Sequence, residues 1–174
     1  LNDIERQQLL VQWNQTTAAY PADRCLHELF EAQVERTPDR VGLRFEEQQL
    51  SYAEWNQRAN QLAHYLRQLG VGPDSLVGLC VERSTEMMVA VLAILKAGGA
   101  YVPLNADNPK PRLAQQLSGI RVLLTQQKLL PGMPEFAGTK LCLDRDETLW
   151  STQPRSNPPV QSSPENLVYV IYTS

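Results

Sequence analysis

The sequence has no long apolar run. The longest, Met87–Leu95, is nine residues and is closed by Lys96, whereas a helix crossing a bilayer needs about 20. The start, Leu1-Asn2-Asp3-Ile4-Glu5-Arg6, is polar and acidic and lacks the basic-then-apolar order of a secretory signal. Cysteine is scarce: Cys25, Cys80 and Cys142 are odd in number and far apart. They make neither a disulfide framework nor a zinc pattern, and reduced, buried, small-hydrophobe roles are expected. There is no basic excess either. Sixteen Lys and Arg against 19 Asp and Glu give a net charge of −3, which supplies no electrostatic footprint for nucleic acid or an anionic membrane surface. The two histidines, His27 and His64, have no second ligand at metal spacing and are expected in surface or partly buried structural roles. No catalytic triad, metal site or carboxylate pair is visible. The expectation is a soluble, cytoplasmic protein, and 174 residues suit one domain with a real core.

What is present is a regular succession of elements. Leu9, Leu10 and Trp13 behind Asp3 and Glu5 predict a short amphipathic helix over Ile4–Trp13 with acids at its positive end. A polar loop over Asn14–Asp23 separates it from a second helix, Leu26–Arg36, stopped by Thr37-Pro38. Val41, Leu43 and Phe45 alternate, Glu46–Gln49 turn, and Leu50-Ser51-Tyr52 return, which predicts a β-hairpin. Ser51-x-x-Glu54 is a capping-box pattern. It opens a helix whose apolar stripe runs through Trp55, Ala59, Leu62, Ala63, Leu66 and Leu69 to Gly70.

From Leu76 the pattern becomes that of a sheet covered on both faces. Leu76–Val81 is continuously apolar apart from Gly78, as in buried parallel strands. A helix capped by Ser84 runs to Ala97 and ends at Gly98-Gly99; Ala100–Leu104 is a second strand, Arg112–Ser118 a helix, Val122–Thr125 a third strand and Lys140–Leu143 a fourth. Strands alternating with helices over short connections predict an α/β fold with a largely parallel sheet flanked by helices. Ser151–Pro164, with four prolines and no apolar periodicity, predicts an exposed loop or linker. Leu167–Tyr172 predicts a last buried strand, followed by Thr173 and Ser174. In open α/β sheets ligands bind beyond the carboxyl ends of the strands. A Thr-Ser pair there can begin a loop that wraps phosphate. Arg83, just past a strand end, is expected in a surface ion pair.

Four stretches resemble the adenylation domains of nonribosomal peptide synthetases, in the adenylate-forming superfamily. Leu1-Asn2, Glu5-Arg6, Leu9-Leu10 and Trp13-Asn14 are similar to the linker between a condensation and an adenylation domain. Leu50-Ser51-Tyr52-Ala53-Glu54 with Asn56 and Arg58-Ala59-Asn60 is similar to the first core motif. Leu95-Lys96-Ala97-Gly98-Gly99-Ala100-Tyr101-Val102-Pro103-Leu104 matches the second, and Leu167–Ser174 resembles the start of the third. The resemblance implies a linker-like segment over 1–23 and an incomplete N-terminal adenylation subdomain over 24–174 that ends where the phosphate loop begins. It implies ATP and Mg²⁺ as cofactors of the complete parent domain, none for this chain alone, and Thr173 and Ser174 as the only carried-over phosphate-loop positions. The parent's reaction would be ATP-dependent aminoacyl-adenylate formation and loading onto a carrier-protein thiol. Its partners would be the remainder of the adenylation domain, a condensation domain and a carrier protein. The sequence departs from the family after the second motif, at Asn105, Ala106, Asn108 and Pro111, which predicts disturbed local packing. A second reading is a non-catalytic interaction or scaffold module, half of a split or interrupted adenylation domain, self-associating through its last strand.

Overall fold

The computed structural model describes residues 2–173. A short helix α1 (Asp3–Leu10) opens it, with a capping box in which the Asn2 side chain accepts from the Glu5 N–H and Glu5 accepts from the Asn2 N–H. Its apolar residues stay in solvent: no α1 residue is buried, and Ile4, Leu10 and the following Trp13 are largely exposed. Helix α2 (Leu26–Arg36) spans the predicted residues, and strands β1 (Val41–Phe45) and β2 (Gln48–Ser51) form the predicted antiparallel hairpin. The long helix α3 (Tyr52–Gln68) begins on the Ser51–Glu54 capping box, which satisfies backbone donors that have no partner within the helix.

The core is a four-stranded parallel sheet in the order β4-β3-β5-β6, with β3 (Leu76–Leu79), β4 (Ala100–Pro103), β5 (Val122–Thr125) and β6 (Thr139–Cys142). Helix α4 (Thr85–Ala97) connects β3 to β4, and α5 (Lys110–Gln116) connects β4 to β5. One hydrophobic cluster joins α3 and α4 to one face of the sheet through Leu62, Leu66, Val77, Ile94 and Leu124. A second, built on Val102, Leu113, Leu117 and Leu123, lies with α5. Trp55 bridges α3 to α4, its indole N–H donating to the Met88 carbonyl at 3.3 Å and its ring edge-on to Phe30 at 4.7 Å. The segment 105–112 closes in spite of its departures from the family pattern. The Asn105 side chain accepts from the Asp107 N–H at 3.0 Å, the Asn105 carbonyl accepts from the Asn108 N–H, and Pro109 leads into α5. Among the described residues no helix is long and apolar enough to cross a membrane.

Leu167–Tyr172 is not a buried strand. It makes one isolated parallel bridge, Tyr101 to Tyr169, on the outer edge of β4. Leu167, Val168, Tyr169, Ile171 and Tyr172 are 39–60% exposed, and Val170 alone packs inward, against the α5-side cluster. The hydrophobic pattern of a strand states what it can bury, but burial requires a neighbour on each side. Here the described residues supply a neighbour on one side only.

Gly98 ends α4 in the left-handed region, φ 97°, and its N–H donates to carbonyls of the last turn. A Cβ at this position would lie 3.2 Å from the Pro73 nitrogen. Gly98→Ala is expected to destabilise the chain by about 1–2 kcal/mol, the cost of a left-handed non-glycine residue, read as a lowered urea midpoint with unchanged m-value.

Candidate functional site

The parallel strands deliver the chain to one end of the sheet, where β3 runs into Cys80–Arg83, β4 into Leu104–Asp107 and β5 into Gln126–Leu129. A cavity of about 490 Å³ lies there between Cys80, Arg83, Leu104, Asn105 and Asp107. A smaller one of about 190 Å³ lies between α3, α4 and the ends of β5 and β6, lined by Arg58, Glu86, Gln126, Asp144 and Trp150 among others. The Glu82 N–H donates to the Gln126 side chain at 3.0 Å, and Glu82 pairs with Lys128 at the surface. Arg83 is exposed and makes no ion pair with a described residue, contrary to expectation. Cys80, at the cavity floor, is 1% exposed, and burial pushes its thiol up to about 11. At neutral pH it is a protonated small hydrophobe and not a nucleophile. Cys25 and Cys142 are likewise buried and free.

Of the two expected phosphate-loop residues, Thr173 is exposed and Ser174 lies outside the described residues. Among the described residues no group of three His, Cys, Asp or Glu is placed to hold a metal ion. A triphosphate with its metal requires several converging donors and cations. Thr173 offers one hydroxyl, so the described residues do not by themselves fit ATP and Mg²⁺.

The polar organisation lies elsewhere, under Ser151–Pro164, which is the exposed loop expected from its composition but is not free of the core. This segment is a strap bound along α3. Its carbonyls at Gln153, Arg155, Ser156 and Pro159 bond respectively to Gln61 (3.3 Å), Asn60 (2.7 Å), His64 (3.0 Å) and Arg67 (2.8 Å). Pro158 is buried beneath it. The Asn157 side-chain oxygen accepts from three groups, Asn56 Nδ2 at 2.9 Å, Asn60 Nδ2 at 2.9 Å and Lys96 Nζ at 3.3 Å. Lys96 has a fully buried side chain and ion-pairs with Glu31 of α2. Burial pushes its ammonium pKa down, and the hydrogen bond and charge of Glu31 oppose that shift. Beyond the strap, Asp74, at φ 58°, receives the Leu167 N–H and the Asn166 side chain, both at 2.9 Å. Sequence reasoning missed Asp74, Asn157 and the Lys96–Glu31 pair. The available signal was the spacing of Asn56, Asn60, His64 and Arg67, a polar stripe on one face of α3.

Against this geometry, a family model described as AMP-binding enzyme matches residues 30–174. The chain belongs to the AMP-binding enzyme family. Over its full length it is 51% identical to a linear gramicidin synthase of Brevibacillus parabrevis, and it spans 3% of that protein. It superposes on the nonribosomal peptide synthetase FmoA3 in its AMPPNP-bound form with a TM-score of 0.85 and 35% identity, over 97% of this chain and 18% of that one. On the N-terminal subdomain of Klebsiella oxytoca NpsA the TM-score is 0.67 with 26% identity, over 80% of this chain and 35% of that one. The resemblance to adenylation domains and the parallel α/β fold expected from the sequence are thereby borne out.

Of the surface and partly buried roles expected for the histidines, His27 lies on the buried side, 5% exposed. Burial lowers its pKa from 6.5; Lys96 and Arg67 push the same way, and Glu31 and Glu28 oppose them. A base depressed in the folded state contributes fully above its unfolded pKa. As pH falls through about 6.5 the unfolded chain takes up the proton first, and stability is lost. The melting temperature is expected to drop more between pH 7.5 and 5.5 in the native chain than in His27→Gln. Equal slopes would exclude His27 as the cause.

Proposed function

We propose that this chain is the opening part of the N-terminal subdomain of an amino-acid-activating adenylation domain. In this reading residues 1–23 form the connection to a preceding condensation domain, and residues 24–174 form the subdomain portion. The parent enzyme joins an amino acid to ATP, forming an aminoacyl-adenylate with release of pyrophosphate, and transfers the acyl group to a carrier-protein thiol. The observation that carries the reading is the match over the whole chain, at 51% identity, to a segment of a peptide synthase, on a sheet with the same fold as a synthetase that binds AMPPNP. Thr173 and Ser174 contribute hydroxyls and backbone N–H groups at the start of its phosphate loop. Mg²⁺ accompanies ATP in the parent domain. The compartment of the parent enzyme, in this reading, is the cytoplasm.

The 174 residues alone hold too few donors for the triphosphate. Purified chain is expected to show no amino-acid-dependent ATP–pyrophosphate exchange above background, whereas a longer chain that contains the complete adenylation domain exchanges with a defined amino acid. Exchange by the 174-residue chain would overturn the first statement, and a longer folded chain inactive with every amino acid would overturn the second.

The exposed apolar edge at Leu167, Ile171 and Tyr172 supports a second element of the reading. Unpaired strand backbone flanked by apolar side chains favours association, and the remainder of the adenylation domain is its occupant in the parent. In isolation, light scattering is expected to show an apparent mass rising with protein concentration. A strict monomer at high concentration would exclude association through this edge.

A further inference from the structure

The strap and the Asp74 contact act on the same stretch of chain from its two ends. Asn157 is fixed by three donors from two helices, and the strap's carbonyls are held by the polar stripe of α3. On both sides of Pro164 the backbone is caught again: the Ser163 N–H donates to Asn166 at 2.8 Å, and Asp74 receives both the Asn166 side chain and the Leu167 N–H. From there two backbone bonds are made to β4. The Tyr101 N–H donates to the Val168 carbonyl at 3.1 Å, and the Val170 N–H donates to the Tyr101 carbonyl at 3.0 Å. The Tyr101 and Tyr169 rings meet at a tilt of 40°, their centroids 5.8 Å apart. Apolar packing adds little in this stretch, because only Val170 turns inward. Two backbone bonds specify register weakly on a strand exposed on both sides, since a slip that exchanges its faces loses little buried surface. The polar anchors upstream make that choice.

We propose that Asp74 and Asn157 are positioning residues that set the register of residues 167–173 on β4 and thereby the place where Thr173 meets phosphate. The second clause rests on the phosphate-loop reading of Thr173 above. Neither residue touches nucleotide; each acts through the chain it holds. Asp74 sits in the connection between α3 and β3, and Asn157 lies over α3 and α4, so the lead-in is referenced to the packed core and not to the exposed edge it lies on. Asp74 occupies a left-handed position, φ 58°, that Gly and Asn also tolerate, so the carboxylate can be removed there without backbone strain.

The test is hydrogen exchange on the full 174-residue chain, compared across Asp74→Gly, Asp74→Asn, Asn157→Ala and Asn157→Asp. Asp at 157 keeps the accepting oxygen, and Asn at 74 keeps one of the two that Asp74 uses, enough for the Leu167 N–H; Gly and Ala remove them. The Leu167, Val170 and Tyr101 amides are expected to exchange at least tenfold faster in the Gly and Ala variants and within threefold of native in the Asn and Asp variants. The Cys80 amide, bonded to the Leu124 carbonyl, should keep its protection in all four and so certify folding. Unchanged exchange at Val170 in both loss variants overturns the proposal. A uniform loss of protection that includes Cys80 and is not rescued by the Asn and Asp variants also overturns it, because the residues are then general stabilisers. In a longer chain with exchange activity, the same loss variants are expected to raise the KM for ATP about tenfold while the KM for the amino acid stays within twofold. Faster Val170 exchange with an unaltered KM for ATP keeps the register role and overturns the phosphate-loop reading of Thr173.

Discussion

A fully buried ammonium group is the constraint around which this structure is arranged. Lys96 closes the apolar face of α4 with its side chain out of water, and an unpaired charge there would cost several kcal/mol. Its compensation is drawn from two separate places, the Glu31 carboxylate on α2 and the Asn157 carboxamide on the strap. The charge is therefore tolerable only when α2, α4 and the strap are all in their native positions. Replacing such a pair by apolar residues is often neutral for stability. What the pair adds is a tie between elements, since Lys96 on α4 touches both Glu31 of α2 and Asn157 of the strap.

The same arrangement explains which parts of the molecule were legible in the sequence. The β1–β2 hairpin, α2, α3 and the parallel β-α-β succession follow from period, capping boxes and glycine stops, which are local signals, and their positions agreed closely with the structure. Gly98 took the left-handed cap its position required. The family motifs were legible because their residues are contiguous, as in Leu95–Leu104. The strap was not legible. Its prolines and polar residues have the composition of a linker, and its order comes from side chains of α3 some 90 positions away in sequence. Leu167–Tyr172 failed in the opposite direction. Its composition is that of a central strand, but centrality is a property of the neighbours and cannot be written into the segment itself.

The carboxyl end of the sheet shows the same division. Cys80, Leu104, Thr125 and Leu143 mark the strand ends as the topology rule for open sheets requires, so the location of the crevice could be expected. Its chemistry could not. The buried thiol is held protonated, Arg83 is free of ionic partners among the described residues, and Thr173 reaches solvent. The place is prepared, and the described side chains at that place do not converge on a ligand.

Four prolines make the strap poor in backbone donors, so its attachment to α3 runs in one direction, from helix side chain to strap carbonyl. Carbonyls are the same in every residue. Most of the strap's own side chains are thus free to change without loosening it, with Asn157, the buried Pro158 and Gln153, whose side chain accepts from Gln68, as exceptions. Substitutions at Asn60, His64 or Arg67 each remove the donor to a particular strap carbonyl. Tolerance to change is divided unevenly across this contact, and most of the specificity of an irregular segment is stored in the regular helix beneath it.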